Sequence, residues 1–268
     1  MDCLIQSLSS AHWIILGSSV QGTHHIRENR PLQDAFGIRL VGDDTILIAV
    51  ADGVGSAAQS AIGAHLAVTT SLNWIESNLW RSFPYSHEDW EGLFRETFFK
   101  AQVRLEEQAS IQGMTISDFA TTLLLVAASA ENLITGQIGD GAIVAMGTDG
   151  LLSTVSEPQQ GEYINETFAI TSPDSINFVQ IKINPMRVDS LALFSDGLQR
   201  LTLHPQDNSP HPPFFAPLFK QLPGIENAAQ AAAILADFLA SDRVNSLTGD
   251  DKTLVLAKRK PLESQIEE

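Results

Sequence analysis

The sequence predicts an α+β fold in which sheet packs on sheet and helices lie outside. Three observations carry this reading. Strand-like apolar runs follow one another directly: 35–41 and 45–51 are separated only by Gly42, Asp43 and Asp44, a spacing that suits a hairpin. Two helical stretches then come back to back. Strict alternation of strand and helix, the mark of a doubly wound parallel sheet, is missing.

Taken in order, residues 12–20, 35–41 and 45–51 read as strands. A helix is expected from Ser56 to Glu76, with Ala57, Ala61, Ala64, Leu66 and Val68 giving a small-residue apolar face. A second is expected from His87 to Ala109, where Trp90, Leu93, Phe94, Phe98, Ala101 and Leu105 recur at three- and four-residue spacing. Strands resume in "TTLLLVAAS", "NLITGQIGDGAIVAMGT", "NFVQIKI" and "SLALFSDG". Leu203 to Pro223, rich in proline and histidine, reads as a loop or flap with a short helix. An alanine-rich helix follows from Glu226 to Ser241, and "KTLVLAKR" is the last strand. Residues 1–260 are expected to form one domain, and 261–268 a polar tail that frays.

Composition narrows the function. Of 268 residues, 44% are hydrophobic and 18% charged, a globular balance. The net charge of −16 argues against partners rich in phosphate, such as nucleic acid or anionic lipid. No apolar run approaches the ~20 residues that span a bilayer, and "HWIILGSSV" lacks the flanks of a signal peptide, so a cytoplasmic protein is expected. Cys3 is the only cysteine, which excludes an internal disulfide and a cysteine zinc site.

The most informative feature is a repeated carboxylate. Asp34 opens one apolar run, Asp52 ends another, Asp140 separates two more, Asp196 ends a fifth, and Asp250 and Asp251 precede the last. Asp52, Asp140 and Asp196 are each followed by glycine, which lets the backbone come close enough for a carbonyl to act as a ligand. Each acid alone can be an ordinary turn residue. Gathered at one place and partly desolvated, they would repel by several kcal/mol, and a hard divalent cation with oxygen ligands, Mg²⁺ or Mn²⁺, resolves that repulsion.

The ordered motifs "QDAF", "VADGVGS", "TTLLLVAA", "IGDGAIV", "LFSDGL" and "GDDKTLVLA" extend over nearly the whole chain and resemble the metal-dependent serine/threonine phosphatases of the PPM, or protein phosphatase 2C, family. The resemblance implies a four-layer α-β-β-α sandwich, two antiparallel sheets flanked by paired helices. It implies hydrolysis of phosphoserine and phosphothreonine by a water activated between two Mn²⁺ or Mg²⁺ ions. By position, Asp52 bridges both ions, Gly53 offers its carbonyl to one, Asp196 and Asp250 hold the other, Asp34 supports the second, and Asp140 can hold a third. Asp52 and Asp196 would thus act catalytically through the bound water. The partners implied are a phosphoprotein and an opposing serine/threonine kinase, with the enzyme a monomer that binds no nucleic acid or membrane.

Four positions depart from the family pattern. Asn29 stands where many members carry a phosphate-gripping arginine, which leaves Arg30, Arg27 and His25 as candidates. Arg200 replaces an acid associated with the third metal. Val54 replaces a histidine found in some members, so no general acid is assigned. Asp251 replaces an asparagine, keeping an acceptor and losing a donor. Two other readings stay open: a non-catalytic regulatory or binding module that keeps the fold, and a metal-dependent hydrolase of another phosphoester.

Overall fold

The computed structural model describes residues 1–84, 86–159 and 168–261, so the expected tail, apart from Pro261, lies outside the described residues. In chain order the strands are β1 (Cys3–Ser9), β2 (Trp13–Val20), β3 (Ala35–Val41), β4 (Thr45–Ala51), β5 (Leu123–Ala128), β6 (Leu133–Ile138), β7 (Ala142–Gly147), β8 (Leu152–Ser156), β9 (Gln180–Asn184), β10 (Val188–Phe194) and β11 (Lys252–Arg259). The helices are α1 (Thr23–Arg27), α2 (Ser60–Arg81), α3 (His87–Gln112), α4 (Gln199–Thr202), α5 (Pro212–Gln221), α6 (Ala228–Leu239) and α7 (Asp242–Asn245). Among the described residues the strands form a six-stranded sheet, in the order β1-β2-β11-β10-β7-β8, and a five-stranded sheet, in the order β3-β4-β5-β6-β9. Every pairing is antiparallel.

The strands are apolar without a break because both sheet faces are covered. Along β4, Ile46, Ile48 and Val50 point between the sheets, where they meet Trp13, Leu124, Ile143 and Val255. Leu47, Ala49 and Ala51 point the other way, onto α2 and α3. On the far side, Phe215 and Phe219 of α5 and Leu235 and Leu239 of α6 cover Leu16, Phe194, Leu254 and Leu256. The result is the expected four-layer order of helix, sheet, sheet and helix. Among the described residues no helix is long and apolar enough to cross a membrane.

Several elements differ from expectation. The helix expected at Ser56 begins at Ser60, because the Gln59 N–H donates to Asp118 O at 2.7 Å instead of entering a helix. It runs on to Arg81, since Ile75 and Leu79 remain buried and no breaker intervenes before Pro84. The next helix continues from Ala109 to Gln112 and is closed by Gly113 at φ 65°. Edge strands β1 and β8 carry alternating or partly exposed side chains and gave no apolar run to read. The strand expected from Asn177 starts at Gln180, after a 3₁₀ turn at Ser175–Phe178. The proline-rich segment holds the full helix α5, with Pro at its first turn, where no N–H is needed, and Phe215 and Phe219 buried one turn apart.

Close approach of the two sheets depends on Gly17. A Cβ there would lie 2.2 Å from the Phe36 ring. Gly17→Ala is therefore expected to destabilise the protein by about 1–3 kcal/mol, measured by urea unfolding. Phe36→Leu in the same chain should recover part of that loss, and an unchanged unfolding midpoint in Gly17→Ala would show that the sheets part here at no cost.

Candidate metal centre

Strand ends deliver the carboxylates to one place. Asp52 follows β4 directly, and its backbone is clamped by the two threonines ahead of β5. Its N–H donates to Thr122 Oγ1 at 2.9 Å, and its carbonyl accepts from Thr121 Oγ1 at 2.9 Å and Thr122 N at 2.8 Å. Asp196 opens a one-turn 3₁₀ helix just past β10, and Asp250 and Asp251 lead into β11. Asp140 lies on the link from β6 to β7, which crosses between the sheets, and its carbonyl accepts from Gln199 Nε2. Gly197 has to be glycine, because a Cβ would stand 2.0 Å from Asp251 O. Asp52, Gly53, Asp140, Asp196 and Asp250 thereby line one cavity of about 380 Å³, together with His25 and Arg30.

Asp34 sits behind this cavity, 5% exposed. Its Oδ2 accepts from Ser195 Oγ at 2.7 Å and from Thr253 Oγ1 at 2.6 Å, so a residue entering the five-stranded sheet is fastened to two from the six-stranded one. Its Oδ1 is buried without a hydrogen-bond partner, as is Asp196 Oδ1. Burial, together with the charges of Asp251 and Asp196, raises the Asp34 carboxyl well above the usual carboxylate range, against the two hydroxyl bonds. Asp52 is raised likewise, by burial first and then by Asp34 and Asp196. Asp196 is raised by burial and by Asp250, while its hydrogen bond with Asp52 opposes the shift. These groups are arranged so that full ionisation is costly.

A donor set of carboxylates with orphaned, buried oxygens fits a hard cation. The side chains do not converge on one point, however: among the described residues no three His, Cys, Asp or Glu side chains are placed to hold an ion together. Asp250 is 54% exposed and lies 3.8 Å from His25 Nε2.

The loop from Gly22 to Gln33 forms the rim. It holds α1, which ends in a Schellman motif: Arg30 N–H donates to His25 O at 2.9 Å, and Asn29 N–H to Ile26 O at 3.3 Å. Asn29 carries the left-handed φ of 54° that this closure needs and that asparagine tolerates. The motif turns Arg30 into the acid-lined cavity, where Nη1 donates to Gly55 O at 3.0 Å and Nε lies 2.9 Å from Glu28. Arg27 lines a neighbouring cavity. His25 is 7% exposed, with Nδ1 2.9 Å from Asp251 Oδ1 but not aligned as a hydrogen bond.

Asp251 turns out to hold this loop. Oδ1 accepts from Gly22 N and Oδ2 from Gln33 N, each at 2.6 Å. The donor that an asparagine would bring has no acceptor here, so the aspartate is the better fit. Lys252 is fully buried, and its Nζ donates to Asn245 Oδ1 at 3.0 Å and to Asp250 O at 3.3 Å, fixing the backbone of that acid. Burial holds its ammonium below the usual range, against the pull of Asp251 and Asp250. Sequence reasoning missed these supports and those of Ser195, Thr253, Thr121 and Thr122. The available signal was a hydroxyl residue within two positions of an acid or at the start of the facing strand. Asp251→Asn turns an amide NH₂ toward a backbone N–H and is expected to cost about 1–3 kcal/mol, read by thermal unfolding of metal-free protein. An unchanged midpoint would show that the staple contributes nothing.

Comparison with known proteins agrees with this architecture. The profile of the family described as protein phosphatase 2C matches residues 21–240. Serine/threonine-protein phosphatase 3 of Escherichia coli (strain K12) is 35% identical over 251 residues, covering 91% of this chain and 98% of its own. Among solved structures, a serine-threonine phosphatase 2C from Toxoplasma gondii superposes with a TM-score of 0.66 at 14% identity, covering 97% of this chain and 99% of its own. The serine/threonine phosphatase Stp1 from Staphylococcus aureus does so with 0.61 at 16%, covering 92% and 95%. These two structures speak for the fold alone, whereas the profile and the Escherichia coli relative establish that this chain belongs to the protein phosphatase 2C family.

Proposed function

We propose that the chain is a Mn²⁺- or Mg²⁺-dependent phosphatase that removes phosphate from phosphoserine and phosphothreonine in proteins, opposing the kinase that installs it. The observation that carries this reading is the acid cluster itself. Asp52 and Asp196 come from different sheets onto one cavity, with raised carboxyls and an orphaned buried oxygen on Asp196, and an arginine stands at the rim. Asp52, the Gly53 carbonyl, Asp196 and Asp250 would hold two ions, Asp34 would support one from behind, and Asp140 would be open to a third. Bound there, the ions would supply Lewis acidity toward water and toward the phosphoryl oxygens.

The chain's own residues do the rest. Thr121, Thr122 and Lys252 fix the backbones of Asp52 and Asp250, so the reorganisation left to this site is confined to side chains. Arg30 presents a guanidinium, whose fork matches two phosphate oxygens, into the same cavity.

The metal reading has a test in stability as well as in turnover. A carboxyl raised in the folded state keeps its proton where the unfolded chain has lost it, so it makes stability fall as pH rises above the ordinary value of about 4. The metal-free protein should lose thermal stability over that rise. Asp52→Asn should flatten the loss, and Mn²⁺ should offset it in wild type. With phosphothreonine peptides, EDTA should abolish turnover and Mn²⁺ or Mg²⁺ restore it, and Asp52→Asn or Asp196→Asn should cost more than about a hundred-fold. Full activity after rigorous chelation would sink the proposal.

Arg30→Ala should lower kcat/KM for a phosphopeptide roughly ten- to a hundred-fold, as expected for one charge-assisted contact of about 1.5–3 kcal/mol. The effect should fall mainly on KM and exceed that of Arg27→Ala on a singly phosphorylated, neutral peptide. Equal kinetics in Arg30→Ala and wild type would remove Arg30 from the phosphate site.

A further inference from the structure

We propose that a second anion-binding subsite adjoins the acid cluster and selects phosphopeptides with another anionic side chain, carboxylate or phosphate, near the phosphorylated residue. This rests on the phosphatase reading and names its substrate class. The subsite is a cavity of about 590 Å³ that shares His24, Asp196 and Asp250 with the acid-lined one and adds Arg27 and Arg200.

The two arginines come from α1 and α4, distant in sequence, and both are exposed. Neither makes an ion pair or a side-chain hydrogen bond among the described residues. That is unexpected in a chain with 32 acidic and 16 basic residues. Arg30, three residues from Arg27, is by contrast held by Glu28 and the Gly55 carbonyl. A guanidinium offers five donors and no acceptor, and carboxylate or phosphate oxygens are its best partners. Asp196 and Asp250 in the shared wall would repel an incoming anion. With cations on those acids the balance would reverse, leaving Arg27 and Arg200 to set the field. Thr248 lines the same cavity, and its hydroxyl, which accepts from Asp250 N–H at 3.2 Å, keeps a donor suited to a peptide carbonyl.

The test uses peptides of one sequence with a single phosphothreonine and, two residues before or after it, alanine, glutamate or phosphoserine. At saturating Mn²⁺, initial release from the threonine should show kcat/KM about ten-fold higher for the anionic peptides than for the alanine peptide, through KM. Arg27→Ala and Arg200→Ala should each lower that ratio, the double variant should bring it near one, and Arg200→Glu should reverse it. Both sites are exposed, so these variants are expected to unfold at the wild-type midpoint. Preference for glutamate alone or phosphoserine alone supports the subsite and identifies which anion it takes. Equal kcat/KM for all peptides in wild type, or a preference that survives in the double variant, overturns it. If wild type turns over none of them, calorimetric binding of the same peptides decides: a retained preference overturns only the phosphatase reading, and no preference overturns the subsite.

Discussion

Mutual repulsion among carboxylates held in a small, half-dry volume is the constraint around which this end of the molecule is built. Different acids escape it by different routes. Asp251 spends both oxygens on backbone N–H groups, and Asp34 spends one on two hydroxyls. Asp52 and Asp196 hydrogen-bond to each other and remain in conflict. Asp251, fully satisfied, is a structural fastener, Asp34 is a fastener with one oxygen still orphaned, and the frustrated pair marks where chemistry is expected. That division follows from counting donors, and it separates Asp250 from Asp251, neighbours of the same residue type.

The layers were legible because both sheet faces are buried, which leaves unbroken apolar runs such as 45–51, and because α3 keeps its three- and four-residue spacing. The strands that escaped reading, β1 and β8, are edge strands, where half the side chains meet solvent and the apolar signal thins out. Helix starts were hidden for another reason. Nothing local tells Gln59 to bond to Asp118 across the fold, so tertiary structure overrides the propensity of Ser56–Gln59.

Within the site, the acids were legible from their position at strand ends, but their partners were not. Ser195, Thr253 and Thr122 act across distances of 70 to 219 residues in the chain, and no spacing rule reaches that far. Asn29 is the instructive case. As a departure from the family it read as a missing phosphate ligand. In the fold it is the residue that lets α1 close in a left-handed turn and hands the cavity-facing direction to Arg30.

All the candidate ligands are carried by strand ends and the links between them, and α2, α3, α5 and α6 contribute none. The outer layers therefore answer only to packing, and many apolar sequences satisfy packing equally well. A solved structure only 14% identical superposes across almost the full length. The inner pair of sheets is under a different discipline. Since Asp52 rides on one sheet and Asp196 and Asp250 on the other, the spacing between the sheets is also the spacing of the candidate ligands. An ion gripped from both sides would act as a clasp across the seam of the sandwich, so any repacking that slides one sheet over the other would detune such a centre before it unfolds the protein.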